Sequence, residues 1–291
     1  MLDALADAVQ PKNEATTVIG RAGTRARTLT EARPHSEVSV DVVIPVYNEQ
    51  VALPLSIPTL CEYLATYVPY AWTVTVADNA STDGTLAVAN DLAARYPEVR
   101  VLHLDRKGRG RALKQAWLSS PADIVAYMDV DLSTNLSSFM PLIAPLATGH
   151  SEVAIGSRLS AGAVVTRQWR REVISRTYNL MIKLSMRNRF SDAQCGFKAL
   201  TRDAARELLP NVENGTWFFD TELLLLAEER GFRIHEVPVD WVEDLDTRVK
   251  IVSTVKEDIE GLVRIRRQRL SRRKTALGRL LGLDPSGSIA D

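Results

Sequence analysis

The sequence predicts an α/β fold, a mostly parallel sheet flanked by helices, followed by a C-terminal amphipathic helix. From Val40 onward, short β-branched apolar runs alternate with longer amphipathic stretches, the pattern of a layered α/β domain. Each apolar run stops at a polar cluster. From Val249 to about Leu283, apolar residues recur along one stripe, at 252, 255, 259, 262 and 263 among others.

Taken in order, VDVVIPV (40–46), WTVTVAD (72–78), VRVLHL (99–104) and IVAYMDVD (124–131) read as strands. Helices are expected over 50–67, over 83–95 opened by Asp83, over 109–119, and over 136–147 with Ser133 or Thr134 as cap. The second half continues with EVAIGSR (152–158), the basic stretch TRQWRREVISR (166–176), a helix around 173–187, DAQCGFKAL (192–200) and WFFDTELLLLAEERG (217–231). FRIHEVPVDW (232–241) reads as a strand that Pro238 places at an edge or a bulge. This divides the chain into a leader at 1–38 that reads as mobile, a domain over 39–247, and a basic amphipathic helix and tail over 248–291.

With 36 basic and 36 acidic residues the formal net charge is zero, which argues against nucleic acid as a partner. Two cysteines, Cys61 and Cys195, are too few for a disulfide framework, so a reducing cytoplasmic setting is expected. No apolar run approaches the roughly 20 residues that span a bilayer. The segment 264–279, rich in Lys and Arg and without an acid, suits an anionic membrane surface, so peripheral association with the inner face of the cell membrane is expected. The four histidines form no ligand spacing and read as structural.

Chemistry concentrates where the strands end. Asp129 and Asp131 are separated by one valine at the close of a hydrophobic run, and paired carboxylates there repel unless a cation compensates them. Mg2+ or Mn2+ is the expected partner, held by one or two carboxylates while phosphate oxygens complete its shell. PVYNE (45–49) offers a ring and polar groups for a base and ribose, Asp78 ends the next strand, and KGRG (107–110) sets Lys107 and Arg109 among flexible glycines suited to phosphate. Together these describe a nucleotide diphosphate site.

PVYNE, DNASTDGT, KGRGRAL, DVDLS, GSR and QCGFK, in this order and spacing, resemble family 2 glycosyltransferases of the Rossmann-like GT-A fold, over about residues 40–255. More narrowly they resemble the polyisoprenyl-phosphate hexose synthases, and DAQCGFKAL followed by WFFDTELL is most similar to the dolichyl-phosphate glucosyltransferase branch. The resemblance implies inverting, metal-dependent transfer of a hexose from a nucleotide diphosphate sugar, UDP-glucose favoured, to a polyprenyl phosphate. It implies that Pro45, Tyr47, Glu49, Asp78, Lys107 and Gly108 border the nucleotide, and that Asp129 and Asp131 hold the metal. Arg158 and Arg171 would meet phosphates, and Arg176, Gln194, Lys198, Asp220 and Glu222 would lie near sugar and acceptor, Asp220 orienting them electrostatically. Ser133 stands where mannose synthases often carry Gln, leaving GDP-mannose as the alternative donor. A soluble hydroxyl acceptor is the second alternative. A scaffold that has lost catalysis is the third, opposed by the intact aspartate pair.

Overall fold

The computed structural model describes residues 37–166, 169–242 and 251–280. Nearly all of the leader and the last residues of the tail lie outside them. Val38, expected to belong to the leader, is buried, and its carbonyl accepts from the Ala71 amide, so it belongs to the domain.

Nine strands and eight α-helices alternate in the described residues: β1 (Ser39–Val46), α1 (Leu53–Tyr67), β2 (Ala71–Asn79), α2 (Thr85–Arg95), β3 (Val99–Leu104), α3 (Arg109–Ser119), β4 (Ile124–Met128), α4 (Phe139–Ala147) and β5 (Val153–Ser157) form the first part. β6 (Val165–Thr166), α5 (Trp169–Met186), β7 (Phe197–Thr201), α6 (Arg202–Leu208), α7 (Phe219–Glu229), β8 (Ile234–Pro238), β9 (Trp241–Val242) and α8 (Ile251–Leu280) follow. The main sheet has seven strands in the order β3-β2-β1-β4-β7-β5-β8, and β6 pairs with β9 separately. All main-sheet pairings are parallel except those of β7, which runs antiparallel to both β4 and β5. The four runs read as strands are β1 to β4. Pro238 ends the edge strand β8, where the sheet loses nothing from its missing N–H.

Period-two alternation puts different residues of one strand into two cores. Val40, Val42 and Ile44 of β1 pack on the side of α1, α2 and α4, whereas Val43 packs with α3, α6 and α7. The chain leaves β1 towards β2 and β3, then crosses back to place β4 on the other side of β1. That reversal opens a crevice at the carboxyl ends of β1 and β4, the place where open α/β sheets bind ligands. The cap expected from Ser133 or Thr134 is supplied instead by Asn135, whose Oδ1 accepts from the Ser137 amide and opens a single 3-10 turn before α4.

α8 is packed onto the domain through its first half. Leu262 and Ile265 are buried in the α7-side core, and Gly261 lies so close to Phe218 that a Cβ there would approach its ring to 2.3 Å. Gly261→Ala is therefore expected to destabilise the protein by about 1–3 kcal/mol through overpacking, measured as a lowered urea midpoint at unchanged m-value.

Candidate active site

Three of the four non-glycine residues with positive φ among those described stand just beyond sheet strands: Asn48 (58°) after β1, Ala80 (57°) after β2 and Leu132 (51°) after β4. Asn tolerates this region; Ala and Leu adopt it at a cost that neighbouring contacts must offset. The loop after β1 is latched onto the loop after β2. Asn48 Oδ1 accepts from the Thr82 amide at 2.8 Å, the Asn48 amide donates to Ser81 Oγ, and the Glu49 amide donates to Thr85 Oγ1. Lys107 Nζ lies 3.3 Å from the Tyr47 ring centroid, which brings the loops after β1 and β3 together; Pro45 lies in β1 and Gly108 directly precedes α3. Asp78 is fully buried, with Oδ2 2.7 Å from His103 Nδ1 and Oδ1 accepting from the Ser81 amide, so it shapes this wall from behind. The neighbouring Asn79 accepts from the Gly108 amide at 2.6 Å and fixes the start of α3.

Asp129 and Asp131 follow β4 directly. The Leu132 amide returns to the Asp129 carbonyl, and Asp131 Oδ1 accepts from the Ser133 amide. This tight turn leaves Asp129 half exposed and Asp131 exposed. Pairing of Met128 with Phe197 brings Gly196 alongside Asp129, where a Cβ would come within 1.8 Å of Oδ2. Glycine is what lets the carboxylate sit there. No group of three His, Cys, Asp or Glu side chains suited to a metal occurs among the described residues. Two accessible carboxylates nonetheless fit Mg2+ or Mn2+, which keep water and substrate oxygens as their other ligands.

Behind Asp129 lies a buried ionic cluster. Arg109 spans two carboxylates, donating to Asp220 Oδ2 at 2.6 Å and Asp129 Oδ1 at 3.1 Å. Asp220 Oδ1 accepts from Tyr127 Oη at 2.6 Å and lies 3.2 Å from Lys198 Nζ. Lys198 is fully buried and also donates to the Cys195 carbonyl. Burial alone would raise the Asp220 carboxyl, but Lys198 and Arg109 outweigh it and hold it below the ordinary value. Burial raises the Tyr127 phenol well above its usual range, so it serves as a donor. Asp220 is thus a charged anchor already engaged on both oxygens.

The remaining expected residues divide. Arg158 forms a bidentate pair with Asp192, Nε to Oδ2 at 2.8 Å and Nη2 to Oδ1 at 3.0 Å, and its guanidinium lies 5.4 Å from the Trp241 ring centroid. Gln194 Nε2 stands 3.5 Å from Asp258 Oδ2 on α8, a carboxyl that burial pushes up to about 7. Glu222 does not join the cluster: both its oxygens accept from Arg264 of α8, so it ties the C-terminal helix down. Arg176 is exposed on α5, and Arg171 belongs to the same helix with its side chain outside the described residues. Cys195 is fully buried, which raises its thiol to about 12. Phe218 and Phe219 are core, whereas Trp217 is 42% exposed beside Arg109.

The family model for glycosyl transferase family 2 matches residues 41–209, more than half of the chain. The chain belongs to glycosyltransferase family 2. Within the family it is 38% identical over 232 residues to glycosyltransferase AglD of Haloferax volcanii, covering 78% of this chain and 37% of that protein, so it spans little more than a third of that relative's length. It is 32% identical to a dolichyl-phosphate beta-glucosyltransferase of Trichomonas vaginalis, covering 77% of this chain and 70% of the relative. To the dolichyl-phosphate beta-glucosyltransferase of Drosophila melanogaster it is also 32% identical, covering 73% and 69%. Among solved structures, glucosyl-3-phosphoglycerate synthase from Mycobacterium tuberculosis, in complex with Mn2+, UDP and phosphoglyceric acid, superposes with a TM-score of 0.59 at 18% identity, over 79% of this chain and 78% of the other. That likeness establishes the GT-A-like fold of this family 2 chain.

The site also engages Tyr127, Asn79 and Gly196, engages Arg109 twice, and keeps His103 in the structural role expected of it. Only the tyrosine inside a buried strand directly before the aspartates was a usable signal, since a buried hydroxyl needs a partner. The Arg158–Asp192 pair sets an acid limit. Burial works against the Asp192 charge, but Arg158 lowers its carboxyl to about 2, below an unfolded value of about 3.9. Its stabilisation, about 2–3 kcal/mol, is complete above the unfolded value and is lost as pH falls through the folded one. Urea unfolding of the wild type between pH 5 and 2 is expected to show this loss, with a flatter profile for Asp192→Asn.

Proposed function

We propose that this family 2 enzyme transfers glucose from UDP-glucose to the phosphate of a polyprenol or dolichol, with inversion at the anomeric carbon. The observation that carries the reading is the junction of Asp129, Asp131 and Arg109 with the Tyr47–Lys107 wall at the crevice between β1 and β4. The Trichomonas and Drosophila relatives are dolichyl-phosphate beta-glucosyltransferases, and the Mycobacterium structure holds Mn2+ and UDP. These support the acceptor class and the donor respectively.

In this reading Tyr47, Glu49 and Lys107 border the nucleotide, with Asp78 supporting the wall. Asp129 and Asp131 would hold Mg2+ or Mn2+, which would supply charge neutralisation to a diphosphate leaving group. A phosphate monoester has its second pKa near ~6 and is largely dianionic at neutral pH, so the acceptor needs no strong base. This agrees with an Asp220 that is ionised, buried and fully engaged. The protein's work is alignment and charge stabilisation. The α5 arginines Arg171 and Arg176 attract the acceptor phosphate, while Arg158 is held by Asp192. Lys198 acts through Asp220.

The deciding experiment offers UDP- and GDP-hexoses with polyprenyl phosphate in detergent, with Mg2+, Mn2+ or chelator. Glucolipid formed only from UDP-glucose and only with metal is expected. Mannolipid from GDP-mannose would replace the donor assignment, and transfer without lipid would replace the acceptor. Asp131→Asn is expected to lower kcat at least 100-fold with an unchanged melting temperature.

No helix among the described residues is long and apolar enough to cross a membrane. The membrane contact proposed here lies in the basic end of α8 beyond its packed portion, since Arg264 and Arg269 are engaged by Glu213, Glu222 and Glu229. Removing residues 271–291 is expected to reduce sedimentation with anionic vesicles several-fold while leaving the melting temperature nearly unchanged. Undiminished sedimentation would exclude the tail as the anchor.

A further inference from the structure

Arg109 occupies the same carboxylate that the metal needs. Its side chain is only 15% exposed and is fixed from one side by Asp220 at 2.6 Å, so the contact with Asp129 is made by a side chain that is already held. Tyr127 and Trp217 flank it, with ring centroids at 5.0 and 5.5 Å from its central carbon. Burial works against its charge, and Tyr127, Asp220 and Asp129 more than restore it.

The charges of the buried cluster balance before any ligand arrives, with the exposed Asp131 outside it. Arg109 and Lys198 oppose Asp129 and Asp220, and the adjoining Arg158–Asp192 pair is itself neutral. A divalent cation alone would meet an aspartate whose Oδ1 is already neutralised, beside a guanidinium that repels it. A cation carried by a diphosphate brings compensating negative charge, and that charge gives Arg109 an alternative partner within reach of its unaltered anchor on Asp220.

We propose that Arg109 is a positioning residue that makes metal uptake depend on the nucleotide diphosphate: it holds Asp129 in the empty site and yields it only when the donor's phosphates supply a replacement anion. The proposal rests on the metal and diphosphate reading given above. It assigns the bridge a definite sign, because a merely structural arginine would weaken metal binding when removed. A competing one strengthens binding of the bare cation and weakens the coupling between cation and nucleotide, a coupling that is reciprocal for the two ligands.

The test is Mn2+ binding followed by electron paramagnetic resonance, with and without UDP, for the wild type, Arg109→Gln and Arg109→Lys. The wild type is expected to bind Mn2+ weakly alone and at least tenfold more tightly with UDP. Arg109→Gln is expected to bind bare Mn2+ about tenfold more tightly than the wild type, with a smaller gain from UDP. Arg109→Lys, which keeps the charge but cannot reach both carboxylates, is expected to show the same change to a lesser degree, and serves if the glutamine variant fails to fold by near-ultraviolet circular dichroism. Unchanged or weakened uptake of bare Mn2+ in the folded variants would overturn the proposal while leaving the metal reading intact. Absence of Mn2+ binding by the wild type even with UDP would overturn both.

Discussion

The Asp220 carboxylate is the point on which the two halves of the molecule meet. Its partners come from α3 (Arg109), β4 (Tyr127) and β7 (Lys198), while Asp220 itself belongs to the first turn of α7. A charge so deeply buried is tolerable only when every lone pair is engaged, and removing one member of such a set typically costs about 3–5 kcal/mol, because the others are left uncompensated. The helix N-terminus adds its own favourable field. One ionic cluster therefore fixes the relative placement of four elements.

The candidate crevice inherits its geometry from that anchor. Asp129 is held on one side by Arg109 and on the other by the absence of a side chain at Gly196. Gly110 makes the second close approach: a Cβ there would meet Phe219 at 2.5 Å, so α3 can lie against α7 and carry Arg109 to Asp220. The left-handed residues after β1, β2 and β4 then turn the loops back over the sheet ends. Strain is concentrated at the rim where ligands would bind, and the strands beneath supply the contacts that offset it.

α8 is tied to the domain by side chains of its first half. Its first half is a structural part of the domain, joined through Glu257 to the amides of Trp217 and Phe218 and through Arg264 to Glu222. Its side chains therefore touch the segment that precedes Asp220.

The layered α/β architecture, the four strands of the parallel half and the aspartate pair were legible because they depend on local pattern: β-branched runs, polar strand ends and D-x-D spacing. Arg109 and Lys107 were legible as cations near phosphate, but not what each touches. Asp220, Lys198 and Glu222 looked alike as polar residues near a sugar, and only packing separated two buried members of a cluster from one anchor for α8. The reversal of β7 was hidden because a short buried strand carries no mark of its direction. By itself, then, the sequence determined which elements form and which carboxylates end β4, since backbone preference and periodicity are properties of neighbouring residues. The tertiary structure alone decided which charges are buried together, since ion pairs such as Arg109–Asp220 join residues more than a hundred positions apart.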